Sequence, residues 1–383
     1  MPTYHRQLLK RAGFRQHLRH TLSILAGLLL LSGCEPEGKK TIESFNDIPA
    51  FLKQHKIPAV SLAIIEDFKI KRVITIGDSN RASNLAATDT TLFQLGSVSQ
   101  SLTAVAMVKA LQDHQISLTT DINTILKSWR LVEDRYESEH RISPEMLLSH
   151  TAGTNITVYN GYPHGAKLPS IKQILNGQTP NNDPSVILNG TPKVHSYSAG
   201  GYSVIQQALM DLRSTSFSNA LDTSIFKPLG MTSTTFELPL PPHLLRRASV
   251  GHNKLGAPLK AKHFDYPELA AAGGWSTAEN LARFVIEIQN ALRGNSTIGL
   301  SRESAVELTT PVAFQYALGF DIERHGNHAY FTNGGANQGF QALIKGHMSA
   351  GMGVAIMTNS DNGFHVITQL AQFIAEEEAW PGY

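Results

Sequence analysis

Strand-like segments stand near both ends of this chain and helix-like segments fill the middle, an order that few folds accommodate. Residues 60–66 and 69–76 are apolar, β-branched runs around Asp67-Phe68 and read as a hairpin. Residues 316–323, 328–331, 339–347 and 353–359 repeat the strand pattern towards the C-terminus. Between them, residues 97–114 place Leu102, Val105, Ala106, Val108 and Leu111 at helical spacing. Residues 202–212 and 277–292 read as further helices. Helices at 42–55 and 364–377 flank the strands, the first with Phe45, Ile48, Phe51 and Leu52 on one side and Pro58 beyond its end. Residues 151–200 are rich in Gly, Pro and Asn and read mostly as loop. The economical solution is an α/β chain of the α+β kind. One antiparallel sheet is assembled from both termini (43–95 and 300–383) and covered by helices, with a helical part, 96–299, inserted between. No glycine-rich phosphate loop follows a strand, which argues against a doubly wound nucleotide fold.

The N-terminus carries a different signal. Residues 1–33 hold five basic residues (Arg6, Lys10, Arg11, Arg15, Arg19) and no acidic one. Without those five the balance is 28 Lys+Arg against 31 Asp+Glu, net −3, which excludes a basic nucleic-acid binder. The apolar run 21–31 is short for a membrane span and fits the core of a signal peptide. Leu31-Ser32-Gly33-Cys34 resembles the bacterial lipobox, in which cleavage precedes the cysteine and that cysteine is then acylated. Several acyl chains give a stable anchor where one holds only marginally. The expectation is a signal peptide over 1–33, a tether over 34–42 and one domain over 43–383. The chain would sit in the bacterial cell envelope, on the outer membrane facing the periplasm. Cys34 is the chain's one cysteine, so the domain has neither a disulfide nor a thiolate cluster.

The most informative stretch runs from Phe93 to Thr103. Ser97 follows Gly96 at the start of a helix, where the dipole and free backbone N–H groups favour developing negative charge. Gln100, three positions on, faces the same way.

With five further fragments in order, this stretch resembles the serine β-lactamase and penicillin-binding-protein superfamily, and within it the class C β-lactamase-related hydrolases. The fragments are Ile142–Gly153, Tyr197-Ser198-Ala199-Gly200-Gly201-Tyr202, Pro228-Leu229-Gly230-Met231, Ala271–Thr277 and Gly334–Phe340. The resemblance covers about residue 45 to the C-terminus and implies a β-lactamase/transpeptidase-like fold. It implies that Ser97 is the nucleophile of Ser-x-x-Lys and that Tyr197 is a proton shuttle. The third element, Lys-Thr-Gly or His-x-Gly on a strand facing the serine, falls at Asn333. Gly335 and Ala336 then line the substrate site, with the backbone N–H groups of Ser97 and the Ala336 region as oxyanion hole. The substrate would be a small molecule or peptidoglycan-like ester, amide or peptide.

Two positions depart from that pattern. Position 100 is Gln, and a carboxamide takes no proton at any useful pH. Position 333 is Asn, which donates hydrogen bonds but carries no charge. Tyr197 could act as base only as tyrosinate, and an unperturbed phenol titrates near 10. Ala199 in place of the family's Asn is less telling. The expectation is weak acyl transfer, or a pseudo-enzyme that binds an envelope ligand or partner. His150, in the family's Ser-His-Thr-x-Gly turn, is expected to bond structurally. The 16 histidines show no His-Glu-x-x-His or similar spacing, so no metal or other cofactor is expected.

Overall fold

The computed structural model describes residues 42–132, 141–180 and 183–383. The expected signal peptide, Cys34 and all of the tether but Ile42 lie outside these residues. Seven strands form one antiparallel sheet: β1 (Ala59–Glu66), β2 (Lys69–Asn80), β3 (Leu85–Ala86), β4 (Asp321–His325), β5 (His328–Asn337), β6 (Phe340–His347) and β7 (Gly353–Thr358). Their spatial order is β3-β2-β1-β7-β6-β5-β4. The N-terminal hairpin therefore joins the C-terminal strands through β1 and β7, with Val60 opposite Thr358 and Ala63 opposite Ala355.

These central strands read as nearly unbroken apolar runs because both sheet faces are covered. Along β1, Ala59, Ala63 and Ile65 enter one core while Val60, Leu62 and Ile64 enter the other. β7 divides the same way, with Ala355 and Met357 on the first face and Val354 and Ile356 on the second. Alternation survives as a choice between two cores rather than between core and water. The second face is covered by α1 (Ile48–Gln54) and by α5 (Gly363–Glu377), which contributes Val366, Ile367, Leu370 and Ile374.

The other face supports α2 (Val98–Asp113) and α4 (Ala278–Leu292). α4 presents Leu281, Phe284, Val285 and Ile288 and lies against β1, β6 and β7, so this helix of the expected helical part belongs to the sheet layer. α2 is buried almost all round, between β5, α3 (Ala199–Arg213) and the short helix Leu269–Ala272.

Several boundaries differ from the sequence reading, β2 running on to Asn80 among them. The first helix begins at Ile48, after a single 3-10 turn, because Pro49 suits the opening turn of a helix. The strand expected at 316–323 is Asp321–His325, because Gly319 turns through φ +77° and Ala317 N–H bonds back to Phe320 O. The strand expected at 328–331 continues to Asn337, which lays residues 333–336 alongside the start of α2.

Candidate active site

The site is built where α2 begins, between β5, the loop before α3, the helix Leu269–Ala272 and the wall segment at 157–159. Phe93-Gln94 pairs with Trp275-Ser276 and delivers the chain to a tight turn at Gly96, with φ +51°. A side chain at Gly96 would stand 2.4 Å from Ala336 N, so the turn needs glycine both for its dihedral and for the approach of β5. Gly335 is equally confined: a Cβ there would lie 2.0 Å from Leu95 O and 2.8 Å from Ser97 N. Two glycines thus let the strand and the helix N-terminus touch backbone to backbone. The N–H groups of Ser97 and Ala336 come from these abutting segments.

Ser97 occupies the N-cap position of α2, but its side chain makes no capping bond. Its Oγ lies 2.6 Å from Tyr197 Oη instead. Gln100, 1% exposed one turn along, donates from Nε2 to the same phenol oxygen at 2.7 Å and reaches Ala271 O at 3.5 Å. Gln100 Oε1 is buried with no hydrogen-bond partner. Ser97, Tyr197 and Gln100 therefore form a linear chain with the phenol in the middle.

Tyr197 is held by His150. Ser196 N–H donates to His150 O at 2.8 Å and Ser198 N–H to His150 Nδ1 at 3.1 Å. The imidazole and phenol ring centres are 4.3 Å apart. Since Nδ1 accepts, the ring proton sits on Nε2 and donates to Tyr316 Oη at 3.1 Å. His150 adopts φ +58°, a conformation that non-glycine residues hold only when the surroundings demand it. Burial, aided by His195, pushes its pKa down to about 3, so it stays neutral. His150 positions the Tyr197 loop and holds no charge for the phenol to use.

Burial also pushes the Tyr197 phenol above its ordinary value of 10, and the bonds from Ser97 and Gln100 oppose this only in part. Among the described residues, no lysine or arginine lines the cleft. The phenol is neutral, and the amide beside it can donate but cannot take a proton.

Asn333 does not line the cleft. Its Nδ2 donates to Ser101 Oγ at 2.8 Å, Ser97 O at 3.1 Å and Gly319 O at 3.2 Å. Where the resemblance expects a substrate contact, this side chain fastens β5 to the first turn of α2. Gly335 contributes backbone only, whereas Ala336 lines the opening.

Composition of the loop at 151–200 gave no sign of the opposite wall, which is Thr157, Val158 and Tyr159. Asn337 also lines the cleft, donating to Gln94 Oε1 and Ala272 O. Trp275 and Phe340 are core, packed edge to face at 5.6 Å. The cleft is small, with a volume of about 40 Å³.

Residues 42–378 match the family described as Beta-lactamase. Among curated proteins, the chain is 25% identical over 274 residues to penicillin-binding protein 4 of Amycolatopsis lactamdurans, covering 69% of this chain and 68% of that one. It is 20% identical over 333 residues to Protein flp of Staphylococcus aureus (strain N315), covering 83% of this chain and 64% of that protein's length. Among solved structures, the octameric penicillin-binding protein homologue from Pyrococcus abyssi superposes with TM-score 0.70 at 18% identity, covering 87% of this chain and 76% of that one. D-alanine carboxypeptidase AmpC from Burkholderia cenocepacia gives TM-score 0.67 at 17% identity, covering 87% and 97%.

Proposed function

The chain belongs to the Beta-lactamase family, and from that premise we propose that it is a serine acyl-transfer protein whose chemical step is slow. Ser97 is the nucleophile, and it attacks an ester, amide or peptide carbonyl to form an acyl-enzyme. The serine proton passes to Tyr197 as the C–O bond forms, and the phenol's own proton goes on to the leaving group. The carbonyl oxygen is received by the backbone N–H groups of Ser97 and Ala336. Water then releases the acyl group along the same route in reverse.

One observation carries the reading of slowness. The Ser97–Tyr197 contact at 2.6 Å is geometrically suited to proton transfer, while the partner on the far side of the phenol is the Gln100 amide. With no cation to stabilise a tyrosinate, the phenol must give up its own proton as it takes the serine's, and each turnover waits for that coupled transfer. Similarity to a penicillin-binding protein and to a D-alanine carboxypeptidase supports a peptidoglycan-like or β-lactam substrate class. The resemblance of Leu31-Ser32-Gly33-Cys34 to a lipobox supports an anchor on the outer membrane facing the periplasm.

A second reading has its own observation: Asn333 is spent on α2, and the cleft is narrow. On that reading the fold binds an envelope ligand or partner and does no chemistry.

One series separates the two. Hydrolysis of p-nitrophenyl acetate is measured alongside fluorophosphonate labelling for the parent, Ser97→Ala and Gln100→Lys. Slow acyl transfer predicts low turnover that Ser97→Ala abolishes, and labelling at least tenfold faster in Gln100→Lys. Parent turnover equal to that of Ser97→Ala, with no gain in Gln100→Lys, would favour the binding protein.

A further inference from the structure

Among the contacts that join the 151–200 segment to the body of the domain is a short strand pair, Tyr162-Pro163 with Phe264-Asp265, a few residues beyond the cleft wall. His164 N–H extends the pairing by donating to His263 O at 3.2 Å. Gln94 Nε2 ties the pair to the floor of the site through Phe264 O at 2.6 Å, and the His263 ring packs edge-on against Trp275.

This pairing brings two imidazoles and a carboxylate together. His164 Nδ1 is 3.1 Å from Asp265 Oδ2, and His263 Nε2 is 3.5 Å from Asp265 Oδ1. One donor atom from each of the three residues lies within 4.8 Å of the others. Zinc bonds of 2.0–2.2 Å at tetrahedral angles place ligand atoms about 3.4 Å apart. Each imidazole nitrogen already lies near that distance from a carboxylate oxygen of Asp265, His164 from Oδ2 and His263 from Oδ1.

A separate observation points into the same spot. His263 Nε2 is buried and has no hydrogen-bond partner, because 3.5 Å to the carboxylate is too long for one. A buried nitrogen left unpaired is costly, and a metal ion between it and Asp265 would satisfy both. The His164 side chain remains about one-third exposed, which gives an ion a way in and room for a water ligand. Ligand spacing in the chain could not announce the set, since His164 and Asp265 stand 101 residues apart and meet only through strand pairing.

We propose that His164, His263 and Asp265 form a binding site for a zinc-class divalent cation that staples the 151–200 segment to the domain body beside the cleft. Two neutral imidazoles and one carboxylate suit Zn²⁺ better than a hard cation, which prefers an all-oxygen shell. The ion would be structural, holding the strand pair at 162–165 and through it the wall at Thr157–Tyr159.

The test uses the untagged full chain, stripped with chelator and titrated with Zn²⁺ by calorimetry. Other histidine pairs, such as His328 with His347, can also take zinc, so the comparison is with variants. The parent should bind one equivalent more than His263→Asn and Asp265→Asn. Hydrogen exchange across residues 157–165 should slow with Zn²⁺ in the parent alone. His164→Gln alters only the exposed ligand, keeps the fold, and should weaken the site at least tenfold. Equal stoichiometry and affinity in the parent and His164→Gln, or zinc-independent exchange in the parent, would overturn the site.

Discussion

Glu268 is fully buried, and neither of its carboxyl oxygens meets a donor from another of the described residues. It stands immediately before the helix Leu269–Ala272 that supplies Ala271 and Ala272 to the cleft. Burial pushes its pKa up to about 8; its own backbone N–H opposes this, and the Asp183 charge adds to it. Tyr159 and Tyr266, the other titratable groups coupled to it, stay neutral because burial raises both phenols. The folded state therefore keeps a proton that the unfolded chain releases near 4.5. This contribution to stability is complete below about pH 4.5 and is lost as pH rises towards 8, by an amount on the order of 3–5 kcal/mol. Glu268→Gln should leave the thermal midpoint unchanged at pH 4.5 and raise it at pH 8. Parallel pH profiles for parent and variant would refute the assignment. Nothing in the residues around Glu268 advertised this, because a lone Glu beside Pro267 reads as surface until the packing is known. Ser97, Gln100 and Tyr197 could be placed because each sits inside a recognisable fragment. Asn333 was found in the same way, but its direction was not, since Asn can donate equally well into a cleft or into a neighbouring helix.

At the scale of elements, the site depends on how closely β5 approaches the N-terminus of α2. Gly335→Ala would drive a methyl group onto Leu95 O and the amides of Ser97 and Val98, all backbone atoms that cannot rotate aside. The expected cost is about 1–3 kcal/mol in a denaturant midpoint, as for other overpacked sites. Labelling of Ser97 should also be slowed, because the strand is pushed off the turn that carries the nucleophile. An unchanged midpoint and labelling rate would show that the two elements are not in register as described. Most elements were legible from pattern. β1, β6, β7, α2, α4 and α5 all fall within a few residues of their expected places, because long apolar or periodic runs dominate them. Pattern alone did not extend β5 through Gly334 and Gly335, since paired glycines normally mark a turn, although the resemblance placed Asn333 on a strand facing the serine. Only the facing backbone of α2 explains them as strand. The start of α3 at Ala199 follows the same logic: Gly200 and Gly201 read as loop but let Ile156 and Thr154 pack against the helix, with contacts of 3.1 and 3.3 Å for an added Cβ.

For the whole molecule, the two faces of the sheet carry different duties. One supports α2 and the site, and the other is sealed by α1, α5 and the C-terminal residues. Trp380 is 2% exposed, stacks on Tyr330 at 5.7 Å, and belongs to the second core, on the sheet face away from α2. Trp380→Ala should cost about 3–5 kcal/mol in equilibrium unfolding, as for other large-to-small core changes. The rate of Ser97 labelling in the fraction that remains folded should be unchanged. A coupled loss of labelling in the folded fraction would mean that the two cores do not act separately.

Because β1 pairs with β7, and Ala59 N–H bonds to Asn359 Oδ1, the centre of the sheet joins residues about 300 positions apart. On a ribosome adding roughly 5–20 residues per second, the partner strand arrives about 15–60 s after β1 has been made. During that interval the β1–β2 hairpin offers an apolar, hydrogen-bonding edge to any other chain nearby. Synthesis and sheet closure are thus separated in time, and the newborn hairpin must be kept apart from its own kind until the last strands are available.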